Sequence, residues 1–123
     1  MGHRILIKTE KISMQAELND SAISKMLFAK LPVRAQVNTW GDEIYFPVPV
    51  KATNENGVSA VQLGDIAYWP PSSCFCIFFG KTPVSTKDEI RPASEVTILG
   101  KLAGNPLEWR TVKDGEEISL ENV

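Results

Sequence analysis

The chain reads as mainly β, a closed antiparallel β-barrel with one main α-helix capping an end. Short β-prone runs recur along most of its length, and turn residues separate them at regular spacing. Only one segment has convincing helical periodicity. Many short strands with one helix suit a closed barrel, because closure removes exposed strand edges. At 123 residues the sequence forms one domain, 1–123, long enough to bury a core without disulfide or metal staples.

The elements follow from the pattern. Residues 4–9 and 11–18 alternate apolar and polar, with Ile5 and Ile7, then Ile12, Met14, Ala16 and Leu18 on one side. Such a period of two marks half-buried strands, and Thr9-Glu10-Lys11 between them suits a hairpin turn. Asn19 or Asp20 offers an N-cap for a helix over 21–30, whose Ile23, Leu27 and Leu31 recur at helical spacing before Pro32 ends it. Those three side chains are expected to meet Phe75, Phe78 and Val96 from the barrel. Residues 33–38, 43–49, 59–63 and 66–69 read as strands, separated by Gly41, Asn54-Glu55-Asn56-Gly57 and Gly64-Asp65. The run 75–79 is continuously apolar, as in a strand buried on both faces. After the polar segment 84–92 come a strand at 96–99, a turn region at 100–104, a short helical turn within 107–112 and a last strand at 117–120.

Composition narrows the function. Hydrophobic residues at 43% and charged residues at 23% are those of a globular protein. A net charge of −2 argues against a nucleic-acid surface, which needs clustered Lys and Arg in excess. No apolar run approaches the roughly 20 residues of a membrane span, and the N-terminus lacks a signal-like apolar stretch, so a cytoplasmic protein is expected. His3 is the single histidine, in a terminal Met1-Gly2-His3 expected to fray. No imidazole is then held inside the fold for a Ser-His-Asp triad, a Cys-His pair or a His-based zinc site. The scattered glycines match no phosphate-binding loop. No metal and no cofactor are expected.

Cys74 and Cys76 are the only cysteines. One residue apart in an extended run, they point the same way with poor geometry for a mutual disulfide. Their apolar setting suits small buried hydrophobes, and no neighbouring cation lowers a thiol pKa.

The run Trp40-Gly41-Asp42-Glu43-Ile44-Tyr45-Phe46-Pro47-Val48-Pro49 resembles the cyclophilin strand that carries the catalytic arginine of prolyl isomerases. Setting Gly41 and Pro49 on the family glycine and proline places Ile44 on its phenylalanine and Phe46 on its arginine. Ile77-Phe78-Phe79 is similar to the family's paired-phenylalanine strand, with Ile77 where its glutamine stands. Ile98-Leu99-Gly100-Lys101-Leu102 resembles its V-F-G-K-V run. Nearer in length and pattern are the small prokaryotic cyclophilin-like proteins. Their features resemble Asn38-Thr39-Trp40-Gly41, Tyr68-Trp69-Pro70-Pro71, Phe78-Phe79-Gly80-Lys81-Thr82-Pro83 and Pro92-Ala93-Ser94. The resemblance implies the fold and leaves the reaction open.

A cyclophilin stabilises the twisted prolyl amide with a guanidinium beside an apolar pocket. Phe46 offers no such donor, so an efficient prolyl isomerase is not expected. The alternative is a weak isomerase in which Arg91, in the loop before Pro92, substitutes for the arginine.

The remaining candidates form an aromatic cluster. Trp40, Tyr45, Phe46, Tyr68, Trp69 and Phe79 lie on segments that resemble the cyclophilin groove, and Thr82 lies beside them in sequence. Each ring has an ordinary reading as core and a functional one as the wall of a groove for a small molecule or an extended peptide. Glu43 among them reads either as a solvated or internally satisfied carboxylate, or as an anchoring group or general base. Asp65 after Gly64 reads as a turn residue. Thr82, Ser85, Thr86 and Ser94 with Lys81 and Arg91 form a weaker anion-binding set. A structural role in a larger complex, with a protein partner, is a further alternative.

Overall fold

The computed structural model describes residues 3–123; the expectation for Met1 and Gly2 lies outside these residues. Nine strands form one antiparallel sheet that curls into a nearly closed barrel. They are β1 (His3–Lys8), β2 (Ser13–Leu18), β3 (Val33–Gln36), β4 (Asn38–Thr39), β5 (Glu43–Pro47), β6 (Asp65–Trp69), β7 (Cys74–Phe78), β8 (Thr97–Leu102) and β9 (Glu117–Asn122). Their order is β3-β9-β1-β2-β8-β6-β7-β5-β4. The main helix, α1, spans Ala22–Ala29.

Local chemistry explains the elements. The β1–β2 hairpin closes as Thr9 N–H donates to the Ile12 carbonyl at 2.8 Å, while the Thr9 hydroxyl accepts from the backbone N–H groups of Lys11 and Ile12. The cap of α1 is Ser21, not Asn19 or Asp20: its side chain accepts from Ser24 N–H. Asn19 supports the cap from one step outside, accepting from Ser21 N–H and the Ser24 hydroxyl. The Glu55 carboxylate takes the free Ala22 N–H at 3.0 Å, where the positive end of the helix favours an anion. His3 does not fray from the fold; it opens β1 and stacks on Phe28 with ring centroids 4.5 Å apart.

Two apolar clusters stand on opposite faces of one wall. The inner one fills the barrel with Ile5, Ile7, Phe46, Tyr68, Phe75, Ile77, Phe79, Leu99 and Trp109, and α1 adds Ile23 and Leu27 to it. Leu31 packs partly buried against the same cluster. The outer one comprises Val61, Ala67, Cys76, Phe78 and Val96, with Tyr45, Trp69, Ile90 and Ile98 packed on it. β7 is buried along its whole length, as its unbroken apolar run predicts. Alternation sends Phe75 and Ile77 inward and Cys74, Cys76 and Phe78 outward. Phe78 and Val96 therefore do not meet the helix; they belong to the outer layer.

Two expectations about strands fail for identifiable reasons. Residues 59–63 make only an isolated bridge, Val61 to Ile90, and serve as a strap over the outer face. Gly100 is not a turn residue: β8 runs through it to Leu102. Leu99 and Leu102, three residues apart, both face inward, which strict alternation forbids. A register shift supplies the extra residue, since Ile66 pairs with Gly100 but Ala67 pairs with Ile98. Gly100 has φ +155°, and a Cβ there would fall 1.8 Å from the Glu17 carbonyl oxygen. Only glycine lets the two backbones approach that closely.

Candidate functional site

The site lies on the outer face of the barrel wall. In β5, Glu43 and Tyr45 point outward while Ile44 and Phe46 point in, as a period of two requires. Beside them, β6 turns Trp69 outward and Tyr68 inward. Trp40 comes from the turn before β5, where its N–H donates to the Glu43 carbonyl and Glu43 N–H donates back to the Trp40 carbonyl. That turn needs Gly41, which has φ +61° and lies so close to the next loop that a Cβ would meet the Lys81 carbonyl at 2.9 Å. The loop 79–96 folds back over this face and brings Pro92 and Ala93 against it. Together Trp40, Glu43, Tyr45, Trp69, Pro92 and Ala93 line a half-open cavity of about 250 Å³.

Two contacts set the rings. Tyr45 and Trp69 meet edge to face, with centroids 6.4 Å apart and planes at 65°. The Trp69 indole N–H donates to the Ser94 hydroxyl at 2.7 Å, which ties β6 to the loop. The loop is braced internally: the Thr82 hydroxyl donates to the Arg91 carbonyl, and the Ser85 hydroxyl accepts from Thr82 N–H and Arg91 N–H.

Glu43 is the one acid that lines the cavity, and it is 5% exposed. Its Oε1 is buried with no hydrogen-bond partner. Burial pushes the carboxyl up from an ordinary value near 4.5 to about 7, against a smaller opposing pull from a Cys76 thiol hydrogen bond. Burial also raises the Cys76 thiol well above its usual range, with the Glu43 charge adding to it, and Cys74 moves the same way for the same two causes. Both thiols are free, buried and protonated, and Cys76 belongs to the outer cluster. Among the described residues no group of three His, Cys, Asp or Glu side chains is placed to hold a metal ion.

Of the sequence candidates, the structure brings Trp40, Glu43, Tyr45 and Trp69 together. Phe46, Tyr68 and Phe79 are corrected from groove to core. Phe46 packs on Phe75 inside the barrel at 5.3 Å between centroids. The Tyr68 hydroxyl donates to the Val50 carbonyl at 2.6 Å and accepts from Ala52 N–H, holding the segment after β5. Phe79 continues the inward set of β7. Thr82 is buried in the loop's own bonding and does not line the cavity. Arg91 points its guanidinium at Glu89, with Nη2 2.6 Å from Oε1, so it is turned aside although Pro92 and Ala93 next to it form the wall. The anion-binding set does not assemble either. Ser94 serves Trp69, Thr86 caps Glu89 N–H, and Lys81 donates to the Lys87 carbonyl. Asp65 takes Gln62 N–H at 2.8 Å, as a turn residue does.

Sequence reasoning missed Pro92 and Ala93 as cavity residues and Cys76 as the neighbour of Glu43. The first two reach the cavity only through the fold of a long loop. The third follows from the β5–β7 register, which sets Tyr45 opposite Cys76 and Glu43 opposite Phe78.

The sequence matches the family described as Cyclophilin-like over residues 3–121. The chain belongs to the cyclophilin-like family. This cyclophilin-like domain is also similar to the solution structure of a hypothetical protein from Archaeoglobus fulgidus. The two share 36% identity with a TM-score of 0.84, covering 99% of this chain and 95% of that one. No curated protein matches the chain. Among the described residues of the domain, no helix is long and apolar enough to cross a membrane.

Proposed function

We propose that this cyclophilin-like domain is a binding module that takes a small molecule, or a short side chain of an extended peptide, in the cavity of Trp40, Tyr45 and Trp69, without efficient prolyl isomerase activity. One observation carries the reading: Oε1 of Glu43, a residue that lines that cavity, is buried with no hydrogen-bond partner among the described residues. Buried polar atoms are ordinarily paired, and an unpaired one costs about 1–3 kcal/mol. A ligand that supplies the missing hydrogen bond recovers that cost. The rings provide flat apolar area, and the Trp69–Ser94 bond and the Tyr45–Trp69 edge contact hold two of them before any ligand arrives, so less ordering is needed on binding.

The isomerase alternative lacks its central group here. No arginine lines the cavity, and the guanidinium nearest in sequence, Arg91, is engaged by Glu89.

The three indole N–H resonances report on binding directly. Trp40 and Trp69 line the cavity, whereas Trp109 is fully buried in the barrel with its N–H directed to the Met14 sulfur. Titration with aromatic fragments is expected to shift the Trp40 and Trp69 signals and leave Trp109 in place. Shifts of all three, or of none across fragments of every charge type, would refute the cavity as a binding site.

A further inference from the structure

The charges around the cavity are unevenly placed. Its only ionisable group besides Tyr45 is the Glu43 carboxyl. Four cations are turned to other partners: Arg91 to Glu89, Lys81 to the Lys87 carbonyl, Arg110 to Asp42 and Lys101 to Asp65. Among the described residues no ion pair reaches Glu43, so a ligand has to bring the positive charge. The other walls suit the same charge. The faces of Trp40, Tyr45 and Trp69 carry the negative side of the aromatic quadrupole, which attracts cations and repels anions.

Resting on the binding reading above, we infer that the ligand class is an organic monocation with at least one N–H, an amidinium or a protonated amine on a small flat or apolar body, which donates that N–H to the Glu43 carboxylate while the rings hold its charge. A neutral amide would satisfy the hydrogen bond but leave the buried carboxylate without a counter-charge. A quaternary ammonium would satisfy the rings but leave the carboxylate without its hydrogen bond. The amidinium or amine serves both. The volume of about 250 Å³ fits a single ring with one charged substituent, not a dinucleotide or a folded peptide.

Five probes separate the possibilities: benzamidinium, benzylammonium, benzyltrimethylammonium, benzamide and benzoate, each titrated at pH 8 and followed by the tryptophan indole resonances. Benzamidinium or benzylammonium is expected to bind about tenfold to a hundredfold more tightly than benzamide, because a charge-assisted hydrogen bond and cation–π contact are added. Benzyltrimethylammonium falls between them, and benzoate does not bind. In Glu43→Gln the preference for the cation over benzamide should shrink to about twofold, the rings alone remaining. Equal affinities for benzamide and both N–H cations overturn the inference while the cavity still stands as a binding site. So does a cation preference that survives in Glu43→Gln, or benzyltrimethylammonium binding as tightly as benzamidinium. Indole signals that no probe moves overturn the cavity itself.

Discussion

The indole N–H of Trp69 and the hydroxyl of Ser94 stand 2.7 Å apart, joining the end of β6 to the loop that closes the cavity. This bond holds the ring by its polar edge, while Tyr45 and the outer cluster pack against it. Ser94→Ala removes the acceptor. Because the pair is exposed, water replaces it and the stability loss is expected to be small, about 0.5–1 kcal/mol in urea unfolding. Ligand affinity falls more than stability does, since Pro92 and Ala93 lose their tether to the Trp69 wall. Unchanged affinity for benzamidinium in Ser94→Ala would show that the tether does not shape the cavity.

Glu43 makes the domain's stability pH-dependent in an unusual direction. The folded state holds the carboxyl proton up to about pH 7, whereas the ordinary value of the unfolded chain lies near 4.5. Between those values the native state binds more protons than the unfolded one, so stability falls as pH rises and is level above and below that window. The full change is about 3 kcal/mol. Glu43→Gln cannot titrate, so its stability relative to the parent should improve by about that amount between pH 4 and pH 8. Urea midpoints measured at both pH values check it, and a difference that does not change with pH would mean Glu43 titrates normally.

The thiols give a reagent test of the outer layer. Cys74 and Cys76 are buried and both are pushed toward the protonated, unreactive form. Neither should react with a disulfide reagent in the native state within the time that unfolded protein reacts fully. Rapid labelling of Cys76 in the folded domain would contradict the packing of β5 against β7.

The same strand rule explains what the sequence reading recovered of the site and where it failed. The aromatic candidates came as adjacent pairs, Tyr45 with Phe46 and Tyr68 with Trp69, and Phe79 follows Phe78. Neighbours in a strand face opposite sides, so one member of each pair had to enter the barrel. Glu43 and Tyr45 share parity and fix the outward side, which puts Ile44 and Phe46 within. Parity was therefore legible; which parity faced the loop was not, because both faces of this wall are apolar. The fold itself was readable from alternation in β1 and β2, the stripe of α1 and the segments shared with cyclophilins. The strap at 59–63 and the passage of β8 through Gly100 were not. The first looks like a strand locally, and the second depends on how closely Glu17 approaches from β2.

Phe46 decides how the domain relates to isomerases. The resemblance, aligned on Gly41 and Pro49, sets Phe46 on the family's catalytic arginine, yet its ring lies wholly inside the barrel against Phe75. Placing a guanidinium there would bury an unpaired charge, not arm a groove. Phe46→Arg is expected to lose about 3–5 kcal/mol and to be largely unfolded at room temperature, with no gain in prolyl isomerisation. The unmodified domain should isomerise a proline peptide at or near background in a protease-coupled assay. Lack of a single electrostatic donor typically costs about 2.7–4 kcal/mol of barrier lowering, and no arginine lines the cavity to supply it. Arg91→Ala should change nothing, since Glu89 already holds that guanidinium. Isomerisation at cyclophilin-like rates that Arg91→Ala abolishes would mean the loop carrying Arg91 swings into the cavity in solution, and the binding module would have to be reread as an enzyme.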